Sequence, residues 1–191
     1  MSAAGIIIVL IVFFVLLALQ VPIAYAMAFA CLTFIYETGT ISTKAFGQAF
    51  YTSIDSFTLL AIPLFILVGA LMEGGGLAKR LVKFMEAFVG HITGGHAIAT
   101  VVTCAFFGAI SGSALATVAA IGGIMVPVML ENGYSKKFAY GLICASGCLG
   151  ILIPPSLPMV LYSSATDVSI GALFMGGFGP GILLTILLSI V

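Results

Sequence analysis

A segment that is apolar from Ala97 to Leu130 carries at its middle the run Phe106-Phe107-Gly108-Ala109-Ile110-Ser111-Gly112-Ser113-Ala114-Leu115-Ala116-Thr117. Glycine and free hydroxyls at that place constrain the fold more than any other feature of the chain. A soluble core would not normally break its helix there, and a simple membrane span would not leave a small polar turn facing lipid. The backbone of such a turn must find partners in protein, water or an ion. The flanking arms hold 13 residues (Ala97 to Ala109) and 17 residues (Ala114 to Leu130). As helices they reach about 20 and 25 Å, less than a hydrocarbon core of about 30 Å. The lengths therefore predict a re-entrant helical hairpin that enters the membrane, turns at Ser111 to Ser113 and leaves by the same face. Lys79, Arg80 and Lys83 precede it and Lys136 and Lys137 follow it, which puts both ends in the cytoplasm by the positive-inside rule. Two short full crossings would give the same charge pattern.

The remainder of the chain supports a membrane setting. Of 191 residues 62% are hydrophobic and 6% charged, with a mean hydropathy of +1.34, far outside the range of soluble domains. The expected class is an all-α integral membrane protein. Six basic and six acidic residues cancel, leaving no basic surface for nucleic acid and no acidic tail. The first basic residue is Lys44, so the apolar N-terminus lacks the charged region of a secretory signal and is expected to be retained. Cys31, Cys104, Cys144 and Cys148 all lie in apolar segments and read as helix-packing residues, with metal or disulfide chemistry as the lesser alternative.

Taken in order, residues 5 to 36 are continuously apolar apart from Gln20-Val21-Pro22. Proline there either kinks one long tilted helix or separates two short ones, and the side on which Met1 lies depends on which. Residues 37 to 56, with Glu37, Lys44, Asp55, several hydroxyls and two glycines, read as an interfacial connection. Phe57 to Met72 reads as a membrane helix carrying Pro63 and ending at Gly74-Gly75-Gly76. From Leu77 to Val89 the spacing of Leu77, Leu81, Phe84 and Phe88 against Lys79, Arg80, Lys83 and Glu86 predicts an amphipathic helix along the cytoplasmic interface. It is either a surface anchor or a lever joining a fixed part to a moving one. After the hairpin, Asn132 to Ser135 form a turn. Residues 138 to 166 then suffice for one crossing, but Pro154, Pro155 and Pro158 cannot continue a regular helix. Two half-helices around an unwound centre are expected, the usual binding element of secondary transporters, with a proline kink lacking any ligand as the alternative. Ala172 to Val191 forms a last span, with Gly177 and Gly181 at close-packing spacing.

Both breaks can meet near mid-membrane. Between them they offer the hydroxyls of Ser111, Ser113, Thr117 and Ser156 and the carbonyls freed by unwinding. Residues 87 to 130 and 138 to 166 contain no Asp or Glu. A proton-coupled site usually needs an intramembrane carboxylate or histidine, whereas neutral oxygens suit a hard monovalent cation such as Na⁺. The first arm points its carbonyl end at the tip and the second presents its amide end from Ala114 onward. A substrate carboxylate would meet that second end, so Gly112, Ala114, Thr117 and Ser156 are the candidate substrate-facing residues. Each also has a plainer role, because Ser and Thr bond back to helix backbones and Gly108 with Gly112 makes an ordinary packing pair. His91 and His96 read as snorkelling or capping residues, and Glu131 and Asp167 as solvated helix ends.

The runs Phe106 to Ser113, Ala116-Thr117-Val118-Ala119-Ala120-Ile121-Gly122, Pro127, Gly133-Tyr134 and Gly150-Ile151-Leu152-Ile153-Pro154-Pro155-Ser156 together resemble the large membrane subunit of TRAP transporters, the DctM-like proteins. The resemblance implies a Na⁺-driven importer of small organic acids, dicarboxylate- or sialic-acid-like, in the bacterial inner membrane. It also implies two partners, a small membrane subunit and a periplasmic substrate-binding protein, with Na⁺ as coupling ion and no cofactor. An elevator motion would carry a transport domain against a scaffold. On that basis residues 1–76 are expected to be scaffold helices, 77–90 an interfacial arm and 91–191 half of a transport domain. The family's first sodium site transfers to Ser111, Ser113, Gly150, Ile153 and Pro155. Ala114 and Leu115 stand where the family commonly has a small residue followed by proline. Family members are longer and contain a second, inverted copy, so the chain corresponds to the first half.

Three other readings compete: a different elevator-type Na⁺/anion transporter, a non-transporting or truncated membrane scaffold, and an intramembrane enzyme. The last lacks paired intramembrane Asp residues, His-Glu-x-x-His and Gly-x-Ser-x-Gly, so no enzymatic activity is expected.

Overall fold

The computed structural model describes residues 3–39, 42–55, 57–166 and 168–190, and all of its regular structure is helical. Asp167, expected to be solvated, lies outside the described residues, as do Met1 and Val191. The chain divides into two compact units, 1–55 and 56–191.

In the first unit, α1 (Ala3–Ala18) and α2 (Ile23–Thr38) pack against each other, so residues 5–36 form two short helices and not one kinked one. The chain turns through Leu19 to Pro22, with Gln20 left-handed at φ 61°. Ala26 and Ala30 are buried in α2, small residues that let two helices approach closely. Residues 43–54, read from sequence as a connection, are instead helical: α3 (Thr43–Ile54). Ser42 caps it by accepting the Ala45 amide at 3.2 Å. Past that cap the segment has a single glycine and no proline, so nothing in it breaks a helix.

The second unit begins with α4 (Phe57–Gly74), which runs through Pro63 and ends before Gly76, left-handed at φ 73°. Next comes α5 (Leu77–Val89), with the bounds expected, though its apolar surface is divided. Ala78 and Val82 are buried in the core, with Leu81, Met85 and Val89 packed against it. Phe84 and Phe88 stay exposed and meet edge to face, ring centroids 4.9 Å apart. The stripe through Leu77, Leu81, Phe84 and Phe88 is therefore not one buried face. The stripe that enters the core is rotated toward Ala78 and Val82, since small residues permit the closest approach.

α6 (Gly95–Ser111) and α7 (Ala114–Glu131) form the hairpin, separated by two residues. At 17 and 18 residues they run roughly 26 and 27 Å, longer than the sequence count, because α6 starts at Gly95 and continues through Ile110 to Ser111. α7 by itself has the length and hydropathy of a membrane span, as does the last helix, α11 (Ile170–Ile190). Between them lie α8 (Lys136–Gly147), α9 (Leu149–Leu152) and α10 (Leu157–Thr166). α8–α9 and α10 are bent by 40° at the prolines and have the length and hydropathy of a membrane span only when taken together, either as a broken span or as a re-entrant loop; the helix is interrupted where the sequence places its prolines.

Two buried clusters hold the hairpin. Phe107, Ile121 and Met125 join it to Ala78 and Val82 of α5 and to Ile143 of α8. Val101, Met129, Leu142 and Leu149 join it to α8 and α9, with Leu184 and Leu188 of α11 against them. Gly177 and Gly181 have the expected close-packing role. A Cβ at Gly177 would lie 2.6 Å from the Leu152 carbonyl, and one at Gly181 would lie 2.6 Å from Ile153 Cγ1. α11 therefore buttresses the break. Of the cysteines only Cys104 is in the core; Cys31, Cys144 and Cys148 are exposed on this chain.

Candidate functional site

The hairpin tip and the helix break meet, and glycines allow them to. α6 ends at Gly112, left-handed at φ 63°, whose amide donates to the Gly108 carbonyl at 2.8 Å. A side chain would be strained in that conformation. The Gly112 carbonyl then accepts the Leu157 amide at 3.2 Å, tying the tip to the first residue of α10. One turn back, a Cβ on Gly108 would fall 2.5 Å from Gly150 Cα and 2.8 Å from its nitrogen. The two backbones touch there, with no room for any other residue.

Around this contact the tip oxygens are closely grouped. Ser113 caps α7, its hydroxyl accepting the Ala116 amide at 3.4 Å. Its carbonyl accepts three donors: the Thr117 amide at 3.1 Å, the Thr117 hydroxyl at 2.8 Å and the Ser111 hydroxyl at 3.4 Å. Ser111 Oγ lies 3.3 Å from Thr117 Oγ1 and accepts the Ser113 amide at 3.4 Å. A Cβ on Gly150 would sit 2.8 Å from Thr117 Oγ1 and 2.9 Å from the Ser113 carbonyl. The oxygens of the tip thus face the bare backbone of Gly150.

The break supplies carbonyls for a definite reason. In a regular helix the amides at 154, 155 and 158 would pair with the carbonyls of Gly150, Ile151 and Pro154, but proline has no amide hydrogen. Ser156, buried, donates to the Ile151 carbonyl at 2.7 Å and so replaces one missing donor. The Gly150 and Pro154 carbonyls lose their helical amide outright. Ile153 is extended, with ψ 123°, and its amide still reaches the Leu149 carbonyl at 2.9 Å.

Among the residues singled out from sequence, Ser111, Gly112, Ser113, Thr117, Gly150 and Pro155 come together. The Pro155 carbonyl is the nearest atom to a Cβ built on Gly112, at 3.1 Å. Ile153 instead turns its side chain to Gly181 of α11, and the Ala114 carbonyl faces Gly147 of α8. Thr117 and Ser156 are buried, and their hydroxyls already bond to backbone carbonyls.

Sequence reasoning predicted α4 as a helix but missed that it lines the site. Phe65, Gly69 and Glu73 line a cavity of about 310 Å³ together with Ser111, Ser113 and Leu157. Gly69 approaches Ser111 most closely, a Cβ there lying 3.8 Å from Ser111 Cβ. Ile66, Gly69, Ala70 and Glu73 fall at helical spacing, a pattern that marks one face of α4 without saying what that face meets. Glu73 thus brings a carboxylate to a cavity whose other polar groups are neutral. Also missed were Thr103 and Ser146, whose hydroxyls are buried without a hydrogen-bond partner. His96, expected to snorkel or cap, has its Nδ1 3.2 Å from Glu86 Oε1, linking α6 to α5.

Over residues 10–191 the sequence matches the family described as the tripartite ATP-independent periplasmic transporter, DctM component. The C4-dicarboxylate TRAP transporter large permease protein DctM of Vibrio cholerae is 48% identical over 171 residues, covering 89% of this chain and 38% of the relative. The isethionate TRAP transporter permease protein DctMQ of Oleidesulfovibrio alaskensis is 46% identical over 171 residues, covering 90% and 27%. The sialic acid permease SiaM of Vibrio cholerae is 38% identical over 176 residues, covering 92% and 41%. The chain spans well under half the length of these relatives. On the match of its sequence, the chain belongs to the DctM component family of tripartite ATP-independent periplasmic transporters.

Proposed function

We propose that the chain is the N-terminal part of the large membrane subunit of a Na⁺-coupled importer of small organic acids in the bacterial inner membrane. The contact of two chain breaks carries the reading: Gly112 bonded to Leu157 and Gly108 packed on Gly150. Backbone left unpaired within a membrane is tolerated where it lines a cavity or binds an ion, and two such places brought together form a ligand site. The names of relatives, which refer to C4-dicarboxylate, isethionate and sialic acid, support an organic acid as substrate.

Na⁺ travels here as a co-substrate. The hydroxyl of Ser111, the carbonyl of Ser113 and the carbonyls of Gly150, Ile153 and Pro155 are neutral oxygens, the donor set a hard monovalent cation accepts. The first amides of α7, from Ala114 onward, would meet the acid's carboxylate beside Gly112, with Thr117 and Ser156 holding the backbone that shapes the site. Residues 95–131 would enter and leave the membrane on the cytoplasmic side. Because the hairpin shares one core with α8, α9 and α11, ion, substrate and both breaks would move as one body in an elevator stroke. Residues 91–191 would belong to that body, 77–90 would be the arm and 1–76 the scaffold. A periplasmic binding protein would deliver substrate, and a small membrane subunit would complete the scaffold.

The test is Ser111→Ala combined with Ser113→Ala in the complete transporter. Na⁺-dependent uptake should be abolished while the subunit still co-purifies with its small membrane partner. Uptake at the wild-type rate in that variant removes the sodium site from this place.

A further inference from the structure

Away from the tip, α5 and α7 enclose a second groove, of about 280 Å³. Its walls carry Lys79, Arg80, Lys83 and Glu86, and its floor is Val82, Ile124 and Val128. The three cations are half of the six in the whole chain. Glu86 lies 3.2 Å from His96 Nδ1, and no other acidic residue lines the groove. Lys79 and Arg80 also occupy the first turns of α5, where the helix dipole disfavours cations and favours an anion. Charge of this sign above an apolar floor is unexplained by the packing of α5, which rests on Ala78 and Val82.

We propose that this groove binds an anionic phospholipid, its phosphate held by Lys79, Arg80 and Lys83 and the start of an acyl chain lying on Ile124 and Val128. The inference rests on the reading that α5 lies at the membrane surface, but not on the identity of the coupling ion. Charge complementarity chooses the occupant: a neutral lipid would leave three cations facing the single carboxylate of Glu86, and a free anion would leave the apolar floor in water. The exposed Phe84–Phe88 pair on the same helix is the kind of surface that inserts at the headgroup boundary. A lipid there would join α5 to α7 at a place where the protein itself leaves a gap.

Native mass spectrometry of the complete subunit, released from detergent with defined lipids, tests this. Phosphatidylglycerol adducts should persist at concentrations where phosphatidylcholine adducts are gone. In Lys79→Gln/Arg80→Gln/Lys83→Gln the phosphatidylglycerol affinity should fall by about a hundredfold, roughly fivefold for each charge removed. Ile124→Phe, which fills the floor and keeps every charge, should also lose the adduct. Equal retention of phosphatidylglycerol by wild type and the triple variant overturns the proposal. So does an equal loss in Lys136→Gln/Lys137→Gln, which would make the effect one of general charge, or competition by millimolar inorganic phosphate alone, which would make the groove a free-anion site. Na⁺-dependent uptake is measured separately, so failure of the transport reading leaves the adduct result standing.

Discussion

Two pairs of apolar helices, α1–α2 and α6–α7, are built alike and differ in what their turns must do. Each turn holds one left-handed residue at nearly the same angle, Gln20 at φ 61° and Gly112 at φ 63°. In the first pair burial is confined to a few residues such as Ala26, Ala30 and Ile35, while Ile7, Leu10, Ile11 and Phe14 are exposed. In the second, both arms are buried along much of their length, and the turn docks on another broken element. An exposed turn, as at Gln20, accommodates a long side chain in a strained conformation. A turn pressed against the backbone of a second break admits only glycine.

One added methyl group should separate the two turns most sharply. Gly108→Ala places a carbon 2.5 Å from Gly150 Cα, a backbone contact that cannot yield as a flexible side chain would. Overpacking of this kind costs about 3 kcal/mol or more. The variant should show little folded protein by size exclusion in detergent and no uptake. Gly123→Ala, whose new carbon meets nothing within 4 Å, should be silent in both assays. If Gly108→Ala is equally silent, the tip and the break are not in contact.

Exchanging the two left-handed residues gives the next largest effect. Gly112→Gln adds left-handed strain of about 1–2 kcal/mol and sets Cβ 3.1 Å from the Pro155 carbonyl. Gln20→Gly relieves the same strain and should be neutral or raise thermal stability by less than about 1 kcal/mol. Similar losses from both would mean that the two turns are equally constrained.

The sequence made the helices and both breaks legible because their signals are local. Gly and Ser at the tip, three prolines at the break and a 3.6-residue alternation in α5 each mark a place without reference to anything distant. Even the meeting of the two breaks could be argued, since unpaired backbone needs a partner in a membrane. Other features could not be read, because they depend on which faces the packing selects. Gly69 and Glu73 of α4 join the cavity at Ser111 only through tertiary contact, and the buried side of α5 proved to run through Ala78 and Val82. The helix at 43–54 escaped notice for a different reason: its polar and apolar residues resemble a connection in composition, and its only strong local signal is the Ser42 cap.

Two serine caps of identical form sharpen the contrast between structure and site. Ser113 caps α7 through the Ala116 amide at 3.4 Å, and Ser135 caps α8 through the Phe138 amide at 3.2 Å. Losing either cap costs about 1 kcal/mol, so Ser113→Ala and Ser135→Ala should lower the melting temperature by similar amounts. On the proposed sodium site, only Ser113→Ala should also weaken the Na⁺ dependence of uptake, because the Ser113 cap holds in place the carbonyl that faces Gly150, whereas the Ser135 cap holds no proposed ligand. A matching loss of Na⁺ dependence in Ser135→Ala would assign both effects to helix stability.

The smallest effect belongs to the link between α5 and the hairpin. Glu86 Oε1 and His96 Nδ1 are 3.2 Å apart, each side chain about a quarter exposed at 26%. A pair so open to solvent contributes less than about 1 kcal/mol after screening. The core contacts of Ala78 and Val82, both nearly inaccessible, should hold α5 in place without it. Glu86→Gln should therefore shift the melting temperature only slightly at low salt, and less still at high salt, as the Debye length shortens. A large, salt-independent loss would show that α5 is fastened to the hairpin by this pair and not by its buried face, with one polar contact in place of an apolar seam.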